Sequence, residues 1–219
     1  MANDEAGMTN GPRRRTFIGA MVVAVACMAT GVLAQDAGKQ TNPEATAMKE
    51  RKGVITLKGN PMTLVGPELK AGDAAPDCTL AANDLSPVAL SSFRGKVVVL
   101  AAVPSLDTPV CDLETRRFNQ EAAKLGDGVK VVTISMDLPF AQKRWCGAAG
   151  ATNVVTLSDY REAAFGASYG VLIKELRLLA RSVFVVDREG KIRYVEIVKE
   201  VTSEPNYAAV LEAVKKLAK

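Results

Sequence analysis

The chain has 219 residues, of which 48% are hydrophobic, enough for one well-buried core and not obviously for two. Charged residues make up 24%, and the net charge of +4 includes no basic run with interleaved aromatics after residue 51, which argues against nucleic acid as a partner. There is no histidine, which excludes Ser-His-Asp and Cys-His catalytic pairs and removes the commonest metal ligand.

Four cysteines remain, Cys27, Cys78, Cys111 and Cys146, with no CxxC spacing among them. A metal site is therefore not expected, and no flavin or nucleotide is implied. A thiol nucleophile in this chain must be activated by a helix N-terminus or a cationic neighbour.

Residues 1–34 read as an export signal. Arg13, Arg14 and Arg15 precede an apolar stretch from Phe17 to Ala34, and Val32-Leu33-Ala34 offers a cleavage site. Arg14-Arg15-Thr16-Phe17-Ile18 resembles the twin-arginine signal. Two rival readings stay open: lipidation at Cys27, or an uncleaved anchor, and only these would bring the protein to a membrane. The expected location is the periplasm or cell envelope, with the cytoplasm as the alternative. Residues 35–52 are polar without an apolar period and read as a flexible spacer, so the domain is expected over 53–219.

Val54–Leu57 and Met62–Val65 flank Lys58-Gly59-Asn60-Pro61 and predict an N-terminal β-hairpin. Cys78 falls in an early strand and is expected to be a buried packing residue. Lys96–Val103 is a continuous apolar run, as in a strand buried on both faces. A helix over about Cys111–Lys124 places Leu113, Phe118, Ala122 and Leu125 at helical spacing, and Gly126 and Gly128 stop it. Val129–Met136 predicts a second buried strand, followed by a helix over about Phe140–Gly147, a strand at Asn153–Leu157 and a helix at Ala163–Tyr169. Ser182–Asp187 and Ile192–Val198 enclose Arg188-Glu189-Gly190-Lys191 as a hairpin, and Asn206–Ala218 forms a last amphipathic helix. This alternation predicts one α/β domain with a mixed central sheet flanked by helices.

The run Pro104-Ser105-Leu106-Asp107-Thr108-Pro109-Val110-Cys111 joins the first buried strand to the following helix. It puts Cys111 in a first helical turn at the carboxyl end of a parallel strand, where α/β sites lie. Unpaired N–H groups and the positive end of the helix dipole favour a thiolate there. Thr108 lies on the same side of the turn and can both accept and donate a hydrogen bond. On spacing alone, a second reading carries equal weight: Thr108 or Asp107 caps the helix and Cys111 is a small buried residue.

That loop resembles the peroxidatic loop of the bacterial thiol peroxidase branch of peroxiredoxins. Pro104, Thr108 and Cys111 match the pattern Pro-x-x-x-Thr/Ser-x-x-Cys. Ser135–Cys146 is similar to the segment carrying that branch's resolving cysteine, with Trp145 where a phenylalanine is expected, and Leu179–Asp187 continues the match. The resemblance covers about residues 54–219. It implies a thioredoxin-like fold, with Cys111 as peroxidatic cysteine, Cys146 as resolving cysteine and Arg181 as the active-site arginine. Pro104, Thr108 and Arg181 would bind substrate. A guanidinium stays charged and offers several fixed donors to a thiolate and a peroxide oxygen; the alternative is a strand-end arginine reaching solvent along its aliphatic stem.

The resemblance further implies reduction of hydroperoxides, organic ones and hydrogen peroxide, through a Cys111 sulfenic acid. An intramolecular Cys111–Cys146 disulfide would follow, re-reduced by a thioredoxin-type dithiol, in a homodimer. Because a disulfide needs Cα atoms within ~7 Å, the two helices are expected to unwind locally as it forms. Two alternatives remain: a non-enzymatic exported domain with a structural Cys111–Cys146 bridge, and a general disulfide exchanger, which would want a CxxC pair.

Overall fold

The computed structural model describes residues 49–218, so the export signal and most of the expected spacer lie outside the described residues. The first strand, β1, runs Glu50–Leu57 and pairs antiparallel with β2, Asn60–Val65. The ladder starts at Glu50↔Val65, three residues before the expected domain start at Gly53. Glu50, Lys52, Gly53 and Val54 are all exposed, so this half of the strand shows no apolar alternation that could mark it in the sequence. Lys58 and Gly59 form the turn with φ of 51° and 80°, the double left-handed conformation that matches hairpin twist.

Next come β3 (Thr79–Ala81), β4 (Pro87–Ala89), a 3₁₀ turn at Leu90–Phe93, and β5 (Val97–Ala102). Helix α1 (Pro109–Ala122) leads to β6 (Val129–Ser135), and α2 (Pro139–Ala149) leads to β7 (Val154–Ser158). A short α3 (Ala164–Ser168) precedes the two-residue strands β8 (Leu172–Ile173) and β9 (Leu178–Leu179). The hairpin β10 (Ser182–Val186) and β11 (Ile192–Ile197) follows, and α4 (Tyr207–Leu217) ends the fold.

Seven strands form the main sheet in the order β11-β10-β5-β6-β7-β3-β4. The β5–β6 and β6–β7 pairs are parallel and the others antiparallel, the mixed sheet expected from the sequence. The N-terminal hairpin stands apart from it, in a second sheet of order β1-β2-β8-β9. Alternation along β5 divides the core. Val97, Val99 and Ala101 meet Phe118 of α1, Trp145 of α2 and Val210 and Val214 of α4. Val98, Leu100 and Ala102 meet Phe165 and Tyr169, together with Ile55 and Leu64 of the hairpin.

Two details correct the sequence reading. Leu113 was expected on the buried stripe of α1 but is 52% exposed; the buried positions are Cys111, Glu114, Thr115 and Phe118. Cys78 precedes β3 and is only partly buried. Burial and the nearby Asp159 and Asp77 carboxylates push its thiol up to about 12.

Candidate active site

The site follows from strand register. Strand β10 runs antiparallel to β5 with Ser182 opposite Ala102, so the start of β10 and the end of β5 meet at the same end of the sheet. Arg181 immediately precedes Ser182, and the loop after β5 carries Ser105, Thr108 and Cys111. Chain connectivity therefore delivers residues 70 positions apart to the same place.

The loop is tied down by Asp137, two residues past the end of parallel β6. Its carboxylate accepts from Ser105 Oγ at 2.7 Å, Leu106 N–H at 2.8 Å and Ser135 Oγ at 2.8 Å. Pro104, at the head of the loop, is buried. Thr108 occupies the N-cap position of α1 and Pro109 the first turn, where the missing N–H of proline costs nothing. The Thr108 hydroxyl does not cap the helix. It lies 2.9 Å from the Ser105 carbonyl and 2.8 Å from Cys111 Sγ. With one proton and two neighbours, it can pass its hydrogen to the carbonyl and accept from a thiol, or turn it toward a sulfur anion.

Cys111 has no exposed surface, and Arg181 is 1% exposed. Arg181 Nη2 donates to Cys111 Sγ at 3.3 Å, Nε donates to the Val201 carbonyl at 3.0 Å, and Nη1 pairs with the Glu114 carboxylate. This geometry rules out a strand-end arginine reaching solvent. Burial pulls the guanidinium down, but Glu114 and Cys111 outweigh it and raise Arg181 above its ordinary value. Burial pushes the Glu114 carboxyl up to about 7 despite the opposing pull of Arg181. Thr108, Cys111 and Arg181, singled out by the sequence, thus converge on one sulfur.

Cys146 is elsewhere. It is partly buried near the end of α2, with Sγ 3.3 Å from Thr156 Oγ1, which itself accepts from Asn83 Nδ2 at 2.9 Å. Cys146, Asn83, Lys143 and Thr156 line an open pocket. Cys111 and Cys146 are both free thiols with separate hydrogen-bond partners. Among the described residues, no group of three or more Cys, Asp or Glu side chains is arranged to hold a metal ion.

Sequence reasoning missed Glu114 and Asp137. Glu114 had a signal: an acid three residues after Cys111, on the same helical face. Asp137 had one too, an acid just beyond the carboxyl end of a buried parallel strand.

The Redoxin family model matches residues 70–211. A thiol peroxidase of Bacillus subtilis is 59% identical over 165 residues, 75% of this chain and 98% of that protein. A thiol peroxidase of Halalkalibacterium halodurans is 58% identical over 74% of this chain and 96% of its own length. The chain belongs to the redoxin family, among its thiol peroxidases. The crystal structure of a peroxiredoxin-like protein from Aquifex aeolicus superposes with a TM-score of 0.71 at 48% identity, covering 78% of this chain and 98% of that one. A thiol peroxidase from Chromobacterium violaceum shares the fold, with a TM-score of 0.67 at 20% identity over 74% of this chain and 95% of its own. The fold is thus thioredoxin-like and the protein is a thiol-dependent peroxidase of the peroxiredoxin type, as the sequence resemblance implies. The non-enzymatic alternative finds no support in these relatives.

Proposed function

We infer that Cys111 is the peroxidatic thiol, Cys146 the resolving thiol, and Thr108, Arg181 and Pro104 the groups that seat the substrate. The observation that carries this reading is the convergence of the Thr108 hydroxyl, at 2.8 Å, and the Arg181 guanidinium, at 3.3 Å, on the buried Cys111 sulfur. The Cys111 thiolate attacks the distal peroxide oxygen. The O–O bond breaks, the sulfur is oxidised to the sulfenic acid, and the alkoxide leaves as alcohol after taking a proton. Arg181 faces the charge that moves from sulfur to the leaving oxygen, and the Thr108 hydroxyl can turn toward either group. Cys146 then attacks the Cys111 sulfur, releasing water and closing the disulfide, and a thioredoxin-type dithiol reduces it by exchange. The substrates are organic hydroperoxides and hydrogen peroxide.

Consumption of cumene hydroperoxide by the reduced chain with thioredoxin as donor tests the assignment. Cys111→Ser abolishes turnover, and Cys146→Ser retains one stoichiometric reduction but does not cycle. Peroxide consumption that survives Cys111→Ser would sink it.

A homodimer is part of the same proposal. Leu138 and Phe140 at the start of α2 and Leu113 in the first turns of α1 are exposed, Phe140 by 63%, and offer apolar surface for a second copy. Sedimentation of the wild type against Phe140→Glu checks it: the wild type sediments as a dimer and the variant as a monomer. Export to the periplasm or envelope rests on Arg13–Arg15 and the apolar stretch after them. Cell fractionation with and without residues 1–34 tests it, and equal cytoplasmic retention of both forms would count against it.

A further inference from the structure

Asp112 follows Cys111 in the chain, and Trp145 precedes Cys146. Each cysteine therefore has, as its immediate neighbour, one half of a contact between α1 and α2. Trp145 Nε1 donates to Asp112 Oδ1 at 2.8 Å. The Asp112 carboxylate also accepts from Arg116 Nε at 2.9 Å, and Arg116 Nη1 donates to the carbonyl of Ala149, the last residue of α2, at 3.3 Å. The Arg116 guanidinium lies 5.6 Å from the Trp145 ring centroid. Trp145 is buried in the same apolar cluster as Cys111 and Phe118.

We propose that the Asp112–Trp145 hydrogen bond is a latch between the two cysteine-bearing helices. Asp112 and Trp145 act as positioning residues that keep the reduced enzyme folded and thereby set how fast Cys146 reaches the Cys111 sulfenic acid. The latch rests on the assignment of Cys146 as resolving thiol.

The reason is geometric. A disulfide needs the two Cα atoms within ~7 Å. Cys111 is buried beside Thr108 and Arg181, while Cys146 is held beside Thr156. Joining the sulfurs takes Cys111 from Thr108 and Arg181 and Cys146 from Thr156, which loosens the start of α1 and the end of α2, and loosening either carries away one partner of the bond. A contact present in the reduced state and lost on the way to the disulfide slows the step and favours the reduced form.

Two reactions compete for the sulfenic acid. In resolution, the Cys146 thiol displaces water from the Cys111 sulfur, and the disulfide forms with no further oxidant. In over-oxidation, a second hydroperoxide transfers an oxygen to the same sulfur, giving the sulfinic acid and an alcohol. The latch lengthens the life of the sulfenic acid, and so sets the peroxide concentration at which the enzyme is lost to over-oxidation.

Rapid-quench alkylation and mass spectrometry of the reduced full chain, mixed with one equivalent of cumene hydroperoxide, reads the rate of disulfide formation. Trp145→Phe keeps the aromatic packing and removes the donor. The disulfide forms about tenfold faster, the peroxide dose for half over-oxidation rises by a similar factor, and the disulfide potential becomes more negative. Asp112→Asn keeps an acceptor oxygen without its charge and falls between the two; it also reads the bond from its other end should Trp145→Phe lose its fold. If the wild type forms the Cys111–Cys146 disulfide and the folded variants form it no faster, the latch is overturned alone. If the wild type forms no such disulfide, the resolving role of Cys146 falls and the latch falls with it.

Discussion

Glu114 and Arg181 form an ion pair in the interior of the protein, with side chains 0% and 2% exposed, and the same guanidinium donates to the sulfur of Cys111. Besides the Val201 carbonyl, Arg181 is therefore shared between the Cys111 sulfur and a carboxyl that burial raises to about 7. One Glu114 carboxylate oxygen, Oε1, is buried without a partner, so the ionised form is incompletely satisfied where it stands.

That arrangement gives stability a pH dependence of known sign. The Glu114 carboxyl is raised from 4.5 to about 7 by burial, so between those values the native state holds a proton that the unfolded chain has released. Its contribution is fully present below about 4.5 and is lost as pH rises through about 7. Urea unfolding from pH 4 to 8 is expected to show wild type losing on the order of 3 kcal/mol relative to Glu114→Gln across this window. Parallel curves for the two proteins would refute it.

At the sulfur, Thr108→Val removes the hydroxyl at 2.8 Å while keeping the side-chain shape. The second-order rate constant with peroxide is expected to fall by about 10²–10³, the usual loss for one donor aimed at developing charge. Thr108→Ser retains most of the rate. Stopped-flow peroxide reduction under single-turnover conditions separates the two.

Arg181→Lys keeps the charge and loses the fork. Three acceptors, the Val201 carbonyl, Glu114 and Cys111, are met by three different nitrogens of one guanidinium. A single ammonium cannot span them. Peroxide reduction is expected to drop by about 10², and the melting temperature to fall with it, since Glu114 is left in the interior with a poorer partner.

Cys78 is expected to be a bystander. With its thiol pushed up to about 12 it remains protonated at pH 8, so iodoacetamide should label reduced Cys111 well before Cys78. Cys78→Ala should leave peroxidase turnover unchanged within about twofold. Peptide mass spectrometry against labelling time measures the first, and steady-state turnover the second.

Gly170 is needed for its missing side chain. Its φ is +67°, and a Cβ there would lie 1.8 Å from the Pro67 carbonyl oxygen, at the point where the segment after α3 crosses the end of the N-terminal hairpin. Gly170→Ala is expected to cost at least ~3 kcal/mol. The change in denaturation midpoint reports it, and a shift near zero would mean that the crossing can open.

Much of the main sheet was legible because its central strands are buried on both faces. Val97–Leu100 needed only an uninterrupted apolar run to be recognised, and Val129–Ile134 a run that is β-branched but for Lys130. Strands β8 and β9 have two residues each and carry no periodic signal, so only the β1–β2 hairpin of the second sheet was legible. On α1 the apolar pattern pointed to the wrong side at Leu113, because the inward face carries Glu114 and Thr115 beside Cys111. A helix face built around an active site need not look like a core face, since its polar groups are satisfied or held by partners such as Arg181 that lie far away in sequence. Arg181 itself became readable only through the motif around it. Glu114 and Asp137 belong to no such motif, and the fold had to bring their partners together before their roles could be seen.

The indole between α1 and α2 has a practical use as well. Trp145 is the only tryptophan in the chain, so the intrinsic emission of the enzyme comes from a single buried ring beside a carboxylate and a guanidinium. Any loosening of α2 exposes that ring to water, which shifts its emission to longer wavelength. If the latch opens as proposed, the lag between peroxide addition and the colour shift times that opening without a label.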